Sequence, residues 1–141
     1  MLGFSEVNVT AGQDTAQRFE LTALEERLAV CRLDPDAGLP GWADRGRFLS
    51  CTWTEAELSL VVSETAVPEG VRCQRGWRAL RVHGPLEFSQ VGVLASLALP
   101  LARRGVSVFV VSTYDTDYLL VPGERLDDAV EALRLAGHRL S

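Results

Sequence analysis

The chain has 141 residues, 47% of them hydrophobic and 23% charged, with a formal net charge of -5. A chain of this length buries roughly 70% of its unfolded surface on folding, so one compact body or two very small subdomains can form without disulfide or metal staples. The acidic balance and scattered arginines argue against a general nucleic-acid binder or a protein of anionic membrane surfaces.

In chain order, residues 1–17 are polar and carry small residues without a period that would fix them to a core, and they are expected to form a loose arm. Phe19 to Leu24 reads as a short edge strand, giving residues 1–26 as arm plus edge strand. Leu28 to Leu33 is an apolar run closed by the Asp34-Pro35-Asp36 turn signal, the first secure strand. Pro35, Gly38, Pro40 and Gly41 leave room only for a broken or very short helix near Trp42. Phe48 to Trp53 and Leu58 to Val62 then make a hairpin.

Trp77 to Val82 alternates as a partly exposed strand, ended by His83-Gly84-Pro85. From Gln90 to Arg104 the positions Val91, Leu94, Ala98 and Leu101 follow helical spacing, with Ser89 to cap the start and Gly105 to stop the end. Pro100 cannot donate to the Ser96 carbonyl, which predicts a kink or a shortened last turn. Val106 to Val111 reads as a strand buried on both faces, with Tyr118 to Val121 as its hairpin partner. A last helix carries Leu126, Ala129, Val130 and Leu133 on one stripe, Asp127 and Asp128 near its positive end, Arg134 near its negative end and Gly137 as cap. The order βαββα, with room for a further strand, predicts an α+β two-layer sandwich.

The chain also looks duplicated. Shifted by sixty residues, Thr52 meets Ser112, Glu55 meets Asp115, Glu57 meets Asp117, Leu60 meets Leu120, Val61 meets Val121 and Glu64 meets Glu124. This pattern describes a strand, a polar turn and a second strand, made twice. It divides the chain into an abbreviated unit, 27–75, and a fuller one, 76–141, whose seam is a natural place for a small ligand.

The isolated residues point to little chemistry. Cys31, Cys51 and Cys73 lack the close spacing of a zinc site and are expected to be buried thiols. His83 and His138 join no nucleophile motif and are expected in turns or facing solvent, and neither a P-loop nor a dinucleotide glycine pattern occurs. Trp53 and Trp77, large aromatics at strand positions, are expected in core or interface. No charged-then-apolar leader opens the sequence, and Val91 to Ala102 falls short of a membrane span, so a cytoplasmic protein is expected.

The order Gly92-Val-Leu-Ala-Ser-Leu, Arg104-Gly-Val-Ser-Val-Phe, then Ser112-Thr-Tyr-Asp-Thr-Asp-Tyr-Leu-Leu-Val resembles the ACT domain. The likeness is to small bacterial proteins with two ACT units, related to aspartokinase regulatory ends and to CASTOR-type arginine sensors, and it runs from about Arg27 to Gly137. It implies ferredoxin-like βαββαβ units packed side by side, with a free amino acid or similar small molecule bound at a seam. On this likeness the loop before the first helix, Glu87 to Val93 and in particular Gln90, Val91, Gly92 and Val93, approaches the ligand. Physically, Gly92 leaves helix N–H groups open to a carboxylate. Ser112, Thr113, Tyr114, Asp115 and Asp117 form the other candidate wall, with hydroxyls and carboxylates for an ammonium or guanidinium. Hairpin-turn chemistry is the alternative role for Asp115 and Asp117, and close packing the alternative role for Gly92.

Aspartokinase-type units carry Asn where this chain has Ser107, which argues against lysine and threonine as the ligand. A ferredoxin-like acylphosphatase would need an arginine in the Ser89 to Ser96 cradle, and none is there. The expected function is therefore a noncatalytic, amino-acid-binding regulatory module with no cofactor, acting as a homodimer or on a partner protein. The alternative is an interaction module that oligomerises through its ACT sheets without a metabolite.

Overall fold

The structure, a computed structural model, describes residues 17–87 and 91–141, so most of the expected arm and the expected capping Ser89 lie outside the described residues. Seven strands and two helices follow in the order β1 (Glu20–Leu33), β2 (Leu49–Trp53), β3 (Leu58–Ser63), β4 (Cys73–Val82), α1 (Val93–Arg103), β5 (Phe109–Ser112), β6 (Asp117–Pro122), α2 (Leu126–Leu135) and β7 (Arg139–Leu140). Strands β2-β3-β1-β4-β6-β5 form one sheet, and β7 adds in parallel to the start of β1. The result is an α+β ferredoxin-like fold. The order reads the same outward from its middle: a first strand, its third and its second on either side, with β1 and β4 antiparallel at the centre.

The expected edge strand and the strand after it are one 14-residue strand, β1, and it is central. Its polar middle, Glu25 to Arg27, looks like a break in the sequence. In the fold it is an irregularity: pairing with β4 shifts between Ala23 and Arg27. There the Leu24 carbonyl accepts from Arg78 Nε at 3.1 Å and Nη2 at 2.8 Å, so the interrupted ladder leaves this acceptor satisfied. Glu26 accepts from the Ser63 hydroxyl on β3.

Both helices pack on one face of the sheet. Val93, Leu97 and Leu101 of α1, with Ala129, Ala132 and Leu133 of α2, close over Leu21, Leu80, Val82, Leu119 and Val121. Near Trp42, where a short helix had room, the chain makes turns instead, with Ala43 N–H donating to Pro40 and Arg45 N–H to Trp42. Ala43 and Val67 cover Ala29, Cys31, Leu58, Leu60 and Val62. The opposite face buries Leu28, Val61, Ala79, Val111 and Leu120. The sheet curves over this face, because Ser50 and Thr52 of β2 and Phe109–Ser112 of β5 line one cavity of about 180 Å³.

Several expectations are corrected here. β5 is an edge strand with Phe109 36% exposed, not a strand buried on both faces. Trp53 is 62% exposed, while Trp77 is half-buried beside Phe109, ring centroids 6.1 Å apart. Of the cysteines, Cys31 is buried, Cys73 half-buried and Cys51 exposed. His138 neither sits in solvent nor serves as a turn residue: it is 4% exposed. Its Nδ1 accepts from Phe19 N–H at 3.1 Å, so the proton resides on Nε2, which donates to Ser96 O at 3.1 Å. That is the carbonyl Pro100 cannot serve, and α1 continues through Pro100 to Arg103. The C-terminal ends of the helices are as expected, with Gly105 and Gly137 at positive φ, but α1 opens at Val93 with Gly92 as its N-cap and buries Val93, Leu97 and Leu101, leaving the expected stripe residues Val91 and Leu94 exposed.

The strand positions are one residue out of phase with the sixty-residue alignment. β3 opens at Leu58 and β6 at Asp117, 59 residues later. Leu60 and Val62 on one core face thus correspond to Leu119 and Val121, and Val61 to Leu120 on the other. A one-residue slip exchanges the two faces of a strand, so the pairings of Leu60 with Leu120 and Val61 with Val121 join residues that point in opposite directions.

Candidate functional site

The start of α1 and the β5–β6 turn face each other across a cavity of about 330 Å³. On one side, Gly92 adopts φ +82° at the helix entrance, a left-handed conformation that favours glycine. Ser96 N–H is the first to bond back, to Gly92 O at 2.9 Å. No acidic side chain stands in the first turn. The positive end of the helix lines the cavity through Gly92, Val93 and Leu94, and among the described residues a Cβ built on Gly92 meets only Gln17 Nε2, at 3.8 Å.

The other wall is a four-residue turn held by threonines. Thr113 N–H donates to Thr116 O at 2.8 Å, the Thr113 hydroxyl donates to the same carbonyl at 3.1 Å, and Thr116 N–H donates back to that hydroxyl at 3.2 Å. The buried Thr116 hydroxyl donates to Val82 O, where β4 ends, at 2.6 Å. Leu86 N–H donates to Asp115 O at 2.7 Å, which ties the chain after β4 to the turn. Turn and loop are therefore fixed relative to each other by backbone bonds, leaving the side chains of Asp115 and Asp117 for the cavity. Glu87 adds a third lining carboxylate, and no arginine or histidine is among the lining residues.

Of the residues expected at the site, Gly92, Val93, Ser112, Thr113, Tyr114, Asp115 and Asp117 line this one cavity. Val91 is exposed at its margin, where its carbonyl accepts from Gln17 Nε2 at 2.8 Å. Gln90 lies outside the described residues. Sequence reasoning missed Leu86, Leu94 and Thr116 as lining residues and Gln17 as a support of the loop. The Thr-x-x-Thr spacing of the turn was the available signal for Thr116, whereas nothing in the arm's composition marks Gln17.

The matching turn in the first half repeats the threonine but not the site. Thr54 N–H donates to Glu57 O at 2.9 Å, and the Thr54 hydroxyl accepts from Ala56 and Glu57 N–H groups. At the 59-residue spacing Trp53 stands where Ser112 does, and its indole Nε1 donates to Pro35 O at 2.9 Å, across the loop after β1. Leu58, buried, takes the place of Asp117. Glu57 is thus not the counterpart of Asp117, contrary to the sixty-residue alignment.

A model of the ACT domain matches residues 72–134, and a second model, of an N-terminal domain, matches residues 26–70. The human cytosolic arginine sensor for mTORC1, subunit 1, is 37% identical over 59 residues, a match spanning 41% of this chain and only 18% of the sensor. A crystallised protein of Agobacterium tumefaciens is similar throughout, with TM-score 0.84 and 38% identity over 89% of this chain and 94% of its own. The regulatory subunit of aspartate kinase from Thermus thermophilus shares the fold at TM-score 0.60 and 14% identity, covering 83% of this chain and 96% of that one. With the helix entrance, the threonine-held turn and the strand order in place, residues 72–134 of this chain are an ACT domain.

Proposed function

We propose that this chain is a noncatalytic regulatory module of two ACT-type units, 27–75 and 76–141, that binds a free amino acid in the cavity of the second. The observation that carries the reading is the pairing, across one cavity, of the α1 N-terminus with two carboxylates, Asp115 and Asp117. An α-carboxylate suits the N–H groups and dipole of α1, and a cationic group suits the acidic wall. The excess of acid over base favours a basic side chain, and arginine is the first ligand to test, in keeping with the arginine sensor among the relatives. Trp53 and Leu58 argue that the first unit has lost a comparable site. Regulation would follow if the ligand binds one arrangement of loop and turn better than another and so changes association with a second copy or a partner protein.

A thermal-shift screen of the proteinogenic amino acids at millimolar concentration tests the proposal. A ligand at about a hundred times its dissociation constant adds about 2.7 kcal/mol to stability. Asp117→Asn is expected to weaken that ligand about tenfold, the worth of one charge-assisted contact, and Glu57→Gln to leave it unchanged. If no amino acid raises the melting temperature, the interaction-module reading takes its place.

A further inference from the structure

The centre of the sheet, away from the amino-acid cavity, brings two thiols together. Cys31 of β1 and Cys73 of β4 are direct cross-strand partners. The register that makes them so is set by a shift between the Leu28–Trp77 and Val30–Gln74 pairs, next to Gly76 at φ +84°. Without that extra residue Cys31 would face Gln74. The neighbouring pair exchanges a ladder bond, Arg32 N–H to Arg72 O at 2.9 Å, which makes Cys31–Cys73 a non-hydrogen-bonded pair. In such pairs the Cα atoms lie about 4.5 Å apart with side chains close, inside the range a disulfide spans. Both cysteines line an open cavity of about 630 Å³ between the two halves, so a small thiol reagent has access.

We propose that Cys31 and Cys73 are a reversible redox site, forming a disulfide that locks β1 to β4 when the chain meets a low-molecular-weight disulfide such as oxidised glutathione. Cys73, half-buried at the cavity, attacks one sulfur of the reagent as its thiolate, expelling one glutathione thiolate and forming a mixed disulfide. Cys31 then loses its proton to solvent and attacks Cys73 Sγ, expelling the second. Two electrons pass to the reagent, so two protein thiols and one oxidised glutathione become one protein disulfide and two reduced glutathiones. Burial first, and the adjacent Cys73 second, push the Cys31 thiol up to about 11. Cys31 is thus a poor first nucleophile and suits the resolving role.

The test incubates the native protein with millimolar oxidised glutathione, quenches exchange with acid, traps remaining thiols with iodoacetamide after unfolding, and reads intact mass and peptide map. A Cys51→Ser variant, which removes the exposed third cysteine, should fall from two alkylatable thiols to none as a monomer, and dithiothreitol should restore both. The oxidised form should melt higher by on the order of 10 °C, because the bridge closes a loop of about 40 residues in the unfolded chain. Retention of both thiols under native conditions, or a bridge that forms only in urea, would overturn the proposal, as would a stable glutathione adduct that Cys31 does not resolve.

Discussion

His138→Phe probes the link between Pro100 and the buried imidazole. A slightly larger aromatic ring is kept in place, but Phe19 N–H loses its acceptor and Ser96 O loses its donor, bonds of 3.1 Å each. Leaving a buried backbone group unsatisfied costs about 1–3 kcal/mol, so the pair should cost about 2–4 kcal/mol, moderated by the partial exposure of Ser96. An unfolding entropy of about 0.3 kcal/mol/K, scaled to this chain length, converts that to a fall in melting temperature of about 7–13 °C. The decisive form is a double-mutant cycle with Pro100→Ala. Alanine restores an N–H at position 100 that can serve Ser96 O within the helix, so His138→Phe should cost about 1–2 kcal/mol in that background. Urea denaturation of the four proteins measures the coupling, expected to be about 1 kcal/mol or more. Additivity within about 0.5 kcal/mol would refute the claim that His138 supplies the bond Pro100 removes.

Two glycine comparisons follow from the same geometry. A Cβ at Gly46 would collide with the Ser63 side chain and approach Glu26 Oε2 to 3.2 Å, so Gly46→Ala should destabilise by about 3 kcal/mol in urea titrations. Gly41→Ala, which meets nothing within 4 Å, should stay within about 0.5 kcal/mol of wild type. Gly92→Val and Gly105→Val both force a side chain into a left-handed conformation, φ +82° and +76°, and should lose about 1–2 kcal/mol each by thermal melts. Only Gly92→Val should also abolish amino-acid binding by calorimetry, because only Gly92 lines the cavity.

The second half was legible because its signals are local. The helical spacing up to Gly105, the run into Asp115-Thr116-Asp117 and the glycine at 137 each fix an element within a few residues, and they placed both walls of the cavity. What was hidden depends on register. Glu25, Glu26 and Arg27 look like a boundary, yet Arg78 and Ser63 satisfy that stretch from neighbouring strands and the strand runs on. The repeat was visible as a pattern of residue types, but its phase is set by which face each aliphatic residue packs on, and the fold places that at 59 rather than 60 residues. His138 could not be placed because both its partners, Phe19 and Ser96, are distant in sequence. Trp53 and Trp77 share a residue type and a strand context, and only the path of the loop after β1 separates the exposed one from the packed one.

Amide chemical-shift mapping during titration with the most stabilising amino acid tests the location of the site most directly. The expected result is saturable change concentrated at Gly92, Val93 and Leu94 on one wall and at Ser112 to Asp117 on the other, lost in Asp117→Asn. Changes centred instead on Val30, Trp77 and Phe109, around the groove between the two halves, with 92–94 and 112–117 unmoved, would contradict it.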